Sequence, residues 1–206
     1  MLEFDRASHR YTFNGQVLPH VTQVTDALSS YAGVPADVLQ RAAEIGDAVH
    51  YACELDDQGD LEDSSLPAEI QGFVIAWRRF KEESGFEATH IEHRVASLTY
   101  RYAGTLDRVG RFHRLKRVKP RERCLIDIKT TYAVLPSCGP QLAAYACAWN
   151  EGIPMNEHVT RRFIVQLKAD GTYRLEEFTE VTDMSVFLSA LTLLAWRQRH
   201  NLEKAA

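Results

Sequence analysis

The segment CLIDIKTT, residues 124–131, is the feature that most restricts how this chain can fold. Its apolar residues predict a buried β-strand, in which successive side chains point to opposite faces. Asp127 and Lys129 are two positions apart and therefore project from one face, while Ile126 and Ile128 point into a core on the other. Charges within such a strand persist mainly when they are paired or bind a metal. The segment thus predicts a sheet strand that carries a polar site.

A second acid lies on the preceding predicted strand, AGTLDRVG, where Asp107 has apolar neighbours. If the two strands pair, its carboxylate can face that of Asp127. Adjacent carboxylates repel and raise each other's pKa unless a cation joins them, and Mg²⁺ or Mn²⁺ prefers such oxygen ligands. Lys129 would then orient an attacking water or stabilise developing phosphate charge. The spacing alone is equally compatible with an ion pair on an edge strand.

The remaining chain predicts the elements around this strand. Apolar and polar residues alternate on both sides of Asn14-Gly15, which is a strong hairpin signal. Three strand-like runs between residues 89 and 131 suggest an antiparallel meander. Apolar residues at helical spacing predict helices at 35–55, 66–83, 139–152 and about 184–200.

We therefore predict an α/β (α+β) fold in which helices flank a central mixed β-sheet, with an N-terminal β-hairpin. A length of 206 residues favours a single domain. Residues 1–34 hold the hairpin and a short helix in this prediction, and residues 45–149 hold the polar site. The segment 54–63 contains six acids without the spacing of an EF-hand, and is expected to be a solvated loop.

Composition excludes several classes of protein. Twenty-four basic and twenty-eight acidic residues give a net charge of -4, which argues against a partner held by bulk positive charge. The four cysteines form no C-x-x-C pair, so no disulfide framework, zinc ribbon or iron–sulfur cluster is expected. No apolar run approaches the roughly 18 residues that span a bilayer, and the N-terminus lacks a signal-peptide core. A cytoplasmic protein is expected.

Two predicted helices carry polar residues at helical spacing. Gly46 and His50 lie one turn apart in EIGDAVHYACE, and Gln141 and Tyr145 lie four apart in the helix that Pro140 opens. Taken singly, each residue has an ordinary explanation. A histidine on an apolar face is more often a hydrogen-bonded core residue than a ligand, Tyr145 fits a core, and Gln141 fits a surface or cap.

Taken together, these residues resemble the PD-(D/E)XK nuclease superfamily. The matching order is G-x3-H on a helix, a strand glutamate at Glu92, then G-T-L-D, I-D-I-K-T and Q-x3-Y, over residues 45–149. Within the superfamily the resemblance is to the RecB-type branch, which includes lambda-type phage exonucleases. It implies a restriction-endonuclease-like core and a DNA-cleaving activity that depends on Mg²⁺ or Mn²⁺.

The resemblance also implies a role for each matching residue. Asp107 and Asp127 would bind the metal and Lys129 would be the catalytic lysine. His50 and the backbone carbonyl of Ile128 would be further metal ligands, and Glu92 an outer or second-metal ligand. Gln141 and Tyr145 would position DNA. The sequence departs from the pattern by carrying Asp at 127, where many members carry Glu, and by lacking the cysteines of cluster-binding relatives.

A basic segment, RFHRLKRVKPRER, separates the two aspartates, with seven Lys or Arg in residues 111–123. Because it joins the two acid-bearing strands, we expect it to contact DNA phosphates, although charge runs are usually solvated loops. The residues expected to make these contacts are Arg114, Lys116, Arg117 and Lys119.

The expected function is therefore a deoxyribonuclease without sequence specificity, more an exonuclease than an endonuclease, in phage-type recombination, repair or DNA processing. DNA is the expected partner, and a recombinase or a single-strand-binding protein is a further candidate. Two alternatives stay open: a non-catalytic DNA-binding or accessory protein on the same fold, and a structure-specific or site-specific endonuclease.

Overall fold

The computed structural model describes residues 1–29 and 33–202. Residues 30–32 of the predicted N-terminal segment, and residues 203–206 at the end of the predicted domain, lie outside the described residues. A five-stranded sheet forms the centre, and its strands follow one another in chain order. These strands are β4 (Phe86–Ser97), β5 (Tyr102–Phe112), β6 (Arg123–Lys129), β7 (Val159–Leu167) and β8 (Tyr173–Glu177).

The predicted meander is present, since β4, β5 and β6 pair antiparallel, and β7 then pairs parallel to β6. A parallel neighbour requires a crossover connection, and a helix provides it here. The predicted mixed sheet flanked by helices is thus confirmed. The helices are α1 (Val21–Asp26), α2 (Ala36–Gln58), α3 (Ala68–Ser84), α4 (Cys138–Glu151) and α5 (Asp183–Arg199).

Two apolar cores lie on opposite faces of the sheet, as the alternation in β6 predicts. Ile126 and Ile128 pack in the core that α2 and α3 cover. Leu125 packs in the other core, which α1, α4 and α5 cover. Asp127 and Lys129 lie two and four residues after Leu125, so their side chains point to the same face of the sheet as Leu125, toward α4.

A separate three-stranded antiparallel sheet precedes α1. The predicted hairpin joins β2 (Arg10–Phe13) to β3 (Gln16–Leu18), and Asn14 and Gly15 both have positive φ, at 49° and 78°, as a two-residue hairpin turn requires. Its third strand, β1 (Leu2–Asp5), pairs with β2 and was not predicted. A run of four residues is too short to give a clear alternating pattern.

The acidic segment 54–63 is the predicted solvated loop only from residue 59, where Asp60 and Glu62 are exposed, and its first half is helical. Helix α2 continues through Gln58, which places Asp56 and Asp57 in its last turns. Their side chains are only 9% and 4% exposed, and Lys81 on α3 bonds to both at 2.8 and 2.6 Å. For residues 54–58 the prediction was wrong, because basic residues far along the chain neutralise Asp56 and Asp57. Local charge density does not reveal such distant partners.

Within the described residues, every helix is too short or too polar to cross a bilayer.

Candidate metal centre

The strand pairing of β5 with β6 brings the two predicted aspartates together. Arg108 lies opposite Ile126, so Asp107 lies near the carboxyl half of β6. The Oδ2 atom of Asp107 accepts a 2.7 Å hydrogen bond from the backbone N–H of Ile128. Asp107 and Asp127 are 8% and 2% exposed, so both carboxylates are withdrawn from bulk water. Their burial requires partners, because an isolated buried carboxylate is very costly.

Three side chains from three elements bring potential ligand atoms together. One atom each of His50, Glu92 and Asp107 lies within 4.8 Å of the other two. His50 reaches the site from α2, Glu92 from β4 and Asp107 from β5. A nitrogen and two carboxylate oxygens at this separation can bind one divalent cation.

The imidazole of His50 is oriented for this role. Its Nε2 atom lies 3.0 Å from the carbonyl oxygen of Ile128, which can only accept, so Nε2 carries the proton and donates. The other nitrogen, Nδ1, is thereby left with its lone pair and lies 3.6 Å from Asp107 Oδ2. A histidine that binds a metal usually donates its second N–H to a carbonyl or carboxylate in this way. The carbonyl of Ile128, predicted as a ligand, thus orients a ligand in this structure.

Glu92, a weak candidate from sequence, is a full member of the cluster. Its φ of 44° lies in the left-handed region, which non-glycine residues seldom adopt because it costs free energy. Residues in such conformations are concentrated at functional sites. Burial and the carboxylate of Asp107 raise the pKa of Glu92 to about 7, against the opposing effects of Arg108 and His50. A bound cation would relieve this repulsion.

Asp127, Lys129 and Gln141 form a closed polar triangle beside the cluster. Gln141 donates from Nε2 to Asp127 Oδ1 at 3.0 Å, and Lys129 donates from Nζ to Gln141 Oε1 at 3.3 Å. The Oδ2 atom of Asp127 lies 2.8 Å from Lys129 Nζ without hydrogen-bond geometry, and it is buried with no hydrogen-bond partner among the described residues. The Lys129 ammonium is thus the charged partner of this oxygen, and a divalent cation bound by the neighbouring cluster could share it.

The charges of this triangle depend on one another. Burial raises the pKa of Asp127 to about 6, although Lys129 acts in the opposite direction. Burial also acts to lower the pKa of Lys129, but the carboxylates of Asp127 and Asp107 outweigh it and raise that pKa. Lys129 is therefore a permanent cation next to the candidate ligands.

Tyr145 is largely a core residue that closes one end of the site. It is 4% exposed and packs in the core under α4, yet its ring also lines the cavity described below. Gly104 makes room for it, because a Cβ at that position would lie 2.7 Å from Tyr145 Cε1. A close approach of ring to strand backbone thus explains the glycine in the sequence AGTLD.

All these side chains open into one cavity of about 510 Å³. Its acidic side holds the metal-ligand cluster together with Asp127, Lys129, Gln141 and Tyr145. Residues of the N-terminal sheet and of the start of α1 line it as well. The cavity therefore lies where these elements meet α2, α4 and the central sheet.

The basic segment lies at the other end of β6. None of its described residues lines the cavity. An extended strand rises about 3.3 Å per residue, so the path along β5 from Asp107 to Phe112 alone spans roughly 17 Å. Arg114 donates to the carbonyl of Glu82 and the Arg117 guanidinium lies over the ring of Phe163. Arg114, Lys116, Arg117 and Lys119 are thus not brought to the cluster.

A buried arginine, which the sequence analysis did not single out, binds Glu92 of the cluster. Arg108 has no exposed surface, and it binds Asp57 at 2.7 Å and Glu92 at 2.9 Å. Its guanidinium lies 5.7 Å from the centroid of the Trp77 ring. The only available signals were an arginine within an apolar strand and an acidic run without an obvious partner.

Neither a protein-family model nor a curated protein matches this sequence. Among solved structures, the crystal structure of SSO0001 is similar, with a TM-score of 0.37 and 14% identical residues over 85% of this chain and 84% of that chain. A likeness this distant carries no argument about function, so the site itself must supply it.

Proposed function

We propose that the protein is a divalent-metal-dependent deoxyribonuclease, with exonuclease activity and without sequence specificity. The observation that carries the proposal is the placement of the His50, Glu92 and Asp107 ligand atoms within 4.8 Å of one another, beside the Asp127–Lys129 pair. Acidic ligands for a hard cation next to a fixed lysine suit phosphodiester hydrolysis, in which negative charge develops on phosphate oxygens.

Mg²⁺ or Mn²⁺ would be held by His50, Glu92 and Asp107, with the carboxylate of Asp127 as a further donor. When bound, the metal would activate a water and neutralise charge on the phosphate. Lys129 supplies a second positive charge, which Asp127 and Gln141 hold in place. His50 is fixed through Ile128, and Glu92 is fixed through Arg108.

The wider role proposed is DNA processing in recombination or repair of the phage type, with DNA as the partner and a recombinase or single-strand-binding protein as a further candidate. Support for it comes from the resemblance carried by residues 45–149. The exonuclease proposal requires a free DNA end, so it is distinguished from both alternatives by the choice of substrate.

A cleavage assay on linear duplex, linear single strand and closed circular DNA tests the proposal. Each substrate is incubated with Mg²⁺, Mn²⁺ or EDTA, and wild type is compared with Asp107→Asn and Asp127→Asn. Asparagine keeps the side-chain oxygen that accepts the Ile128 N–H bond but removes the charge. Asp63→Asn, which changes an exposed carboxylate outside the cavity lining, is the matched control.

We expect metal-dependent loss of linear DNA by wild type and Asp63→Asn, and a loss of activity of at least about a hundredfold in the two site variants. Cutting of the closed circle would instead indicate an endonuclease. Binding of DNA without cleavage would support the accessory-protein alternative. Calorimetry with Mn²⁺ alone gives a second readout, since Asp107→Asn should bind the ion more weakly than Asp63→Asn whether or not DNA is cleaved.

A further inference from the structure

The cavity has a second wall whose chemistry the metal centre does not use. Phe4, Arg6, His9, Tyr11 and His20 line it. We call this set the aromatic wall. Four of its five members carry rings and three carry basic groups. None of the five is acidic, in contrast to the metal-ligand cluster.

The aromatic wall is fixed close to the metal-ligand cluster. The hydroxyl of Tyr11 shares a 2.8 Å hydrogen bond with Thr105 Oγ1, two residues before Asp107 on β5. Tyr11 is 2% exposed, and Phe4 stacks on its ring with centroids 4.5 Å apart. The buried residue Tyr11 thus attaches the aromatic wall to β5, the strand that carries the candidate ligand Asp107.

The ring of His9, another member of the aromatic wall, is exposed to solvent. It forms T-shaped contacts with Phe4 and His20, with centroids 5.3 and 4.7 Å apart, which restrict the orientation of the ring. The turn that carries it is also fixed, because the Asp5 carboxylate accepts hydrogen bonds from Ala7 N and Ser8 Oγ. The φ of His9 is 47°, a left-handed conformation that costs free energy unless the surroundings impose it. Exposure and a fixed orientation suit this ring to stacking against a planar ligand.

The polar groups of the wall are donors. Arg6 is exposed and forms no ion pair with any described residue, so its guanidinium is available to an anion. In His20, Nδ1 accepts the backbone N–H of Gln23 at 3.2 Å, which leaves the proton on Nε2. A ligand of this cavity would therefore meet metal-ligand carboxylates as well as an aromatic ring with N–H donors.

We propose that the aromatic wall is a subsite for an unpaired nucleotide of a DNA strand, with its base stacked on His9 and its phosphate bound by Arg6. This inference rests on the proposed nuclease function and names the form of DNA that enters the site. Every base has a flat face, so stacking on a side-chain ring tolerates any sequence. A cavity of about 510 Å³ has the size of a small-molecule site, which is large enough for a single nucleotide.

The test uses Arg6→Ala and His9→Asn, since asparagine accepts the left-handed backbone that residue 9 adopts. Arg10→Ala, an exposed arginine of β2 outside the cavity lining, is the matched control. Cleavage of single-stranded oligothymidylate is measured with a full strand and with a series in which one base at a time is removed. Far-ultraviolet circular dichroism checks that each variant folds.

We expect KM for the full strand to rise about tenfold in Arg6→Ala and His9→Asn, with kcat and the control little changed. Removing one particular base should raise KM of wild type by a similar factor and leave that of His9→Asn unaffected. If no base position behaves in this way while wild type cleaves DNA, the subsite is overturned and the nuclease proposal stands.

If wild type cleaves no DNA, the nuclease proposal fails, and the subsite is then read from binding alone. Fluorescence anisotropy of labelled oligothymidylate in EDTA should give a weaker affinity for Arg6→Ala and His9→Asn than for Arg10→Ala. Equal affinities for all the variants would overturn the subsite as well.

Discussion

Arg108 carries a full positive charge in the protein interior, where its side chain has no exposed surface. It compensates Asp57 on α2 and Glu92 on β4, so one guanidinium joins two buried or half-buried carboxylates to one strand. The pKa of Arg108 is raised: burial favours its neutral form, but Asp57 and the other nearby carboxylates outweigh that effect. The residue therefore acts in stability and in positioning Glu92.

Replacing Arg108 with methionine should lower the free energy of unfolding by about 3–5 kcal/mol, because Glu92 would lose its ion-pair partner and Asp57 would keep only Lys81. Urea titration followed by circular dichroism measures this change. Arg79→Met removes an exposed pair with Glu83 on α3 and should cost less than about 1 kcal/mol. A similar cost for both variants would contradict the view that burial makes the Arg108 pairs important.

The pH dependence of stability should carry a contribution from His20. Burial and the neighbouring ring of His9 lower the pKa of His20 to about 4 from an ordinary value near 6.5. Between these values the unfolded chain binds more protons than the folded protein, so this group's contribution to stability is complete above about pH 6.5 and is lost as the pH falls toward 4.

The variant His20→Asn should therefore lose less stability than wild type between about pH 7 and about pH 5. Asparagine retains an acceptor for the Gln23 N–H at the start of α1, so the cap is kept. Urea unfolding of both proteins at the two pH values gives the difference. The comparison cancels other titrating groups, and an identical pH effect in the two proteins would refute the assignment.

At the residue scale, sequence spacing predicts the face of a side chain better than its partners. The period of two in β6 places Ile126 and Ile128 in one core and turns Asp127 and Lys129 to the other side, as expected. The same period does not predict on which face of β4 the side chain of Glu92 lies, because a positive φ interrupts the regular alternation there. Backbone distortions of this kind depend on tertiary contacts that a sequence pattern does not contain.

Helix α3 packs unusually closely on the turn between β7 and β8. A Cβ at Gly72 would lie 1.8 Å from the carbonyl oxygen of Ala169, which belongs to a backbone held in the turn. The glycine is therefore required by the approach of the two elements, although glycine weakens a helix interior by about 1 kcal/mol relative to alanine.

Gly72→Ala should destabilise the protein by about 1–3 kcal/mol, since the strain of overpacking exceeds the gain in helix propensity. Gly46→Ala on α2 is a matched control, because the nearest atom its Cβ would meet is Thr130 Oγ1 at 3.6 Å, an ordinary contact. The control should be neutral or stabilising by up to about 1 kcal/mol. Thermal and urea unfolding test both, and a stabilised Gly72→Ala would show that the turn yields easily.

Predictions for whole elements succeed where the periodic pattern is long. The helices α2, α3, α4 and α5 and the strands of the meander lie close to their predicted positions. Strand β1 escaped prediction because four residues carry little pattern, and the end of α2 was mistaken for a loop. In the second case, ion pairs with α3 and β5 stabilise residues whose local composition disfavours a helix.

On the scale of the whole molecule, the basic segment lies away from the metal-ligand cluster. The basic segment between β5 and β6 projects exposed Lys116 and Lys119, while Leu115 and Val118 anchor it in the core. Neither lysine lines the cavity. If the protein binds a long duplex as a nuclease of the proposed kind, the phosphate contacts predicted for this segment would be made by DNA outside the cavity.

The double variant Lys116→Ala/Lys119→Ala should bind long duplex more weakly, and the slope of log affinity against log salt should fall by about 2. Its affinity for a short oligothymidylate should equal that of wild type, since those lysines lie outside the cavity. Lys168→Ala, an exposed lysine in another loop, is the control. Equal weakening for both DNAs would place the basic segment at the cavity after all.

The central sheet and its helices follow from sequence, but the cavity as a whole does not. Its two walls come from residues 4–22 and 47–145, and nothing in the sequence states that the N-terminal sheet folds over the acidic side. That docking depends on a few contacts, such as the bond between Tyr11 and Thr105 and the backbone bond from Ala103 N to Pro19 O. Such contacts between distant residues have no periodic signature.

The division of the cavity between two stretches of chain separates two properties that evolution can vary. Substitutions in residues 4–22 change what can enter, while the ligands on α2, β4 and β5 keep their geometry. In a nuclease of the proposed kind, changes in the first sheet would alter the preference for DNA ends without altering the residues proposed to bind the metal. For protein engineering, exchange of this short segment is the natural route to altered selectivity.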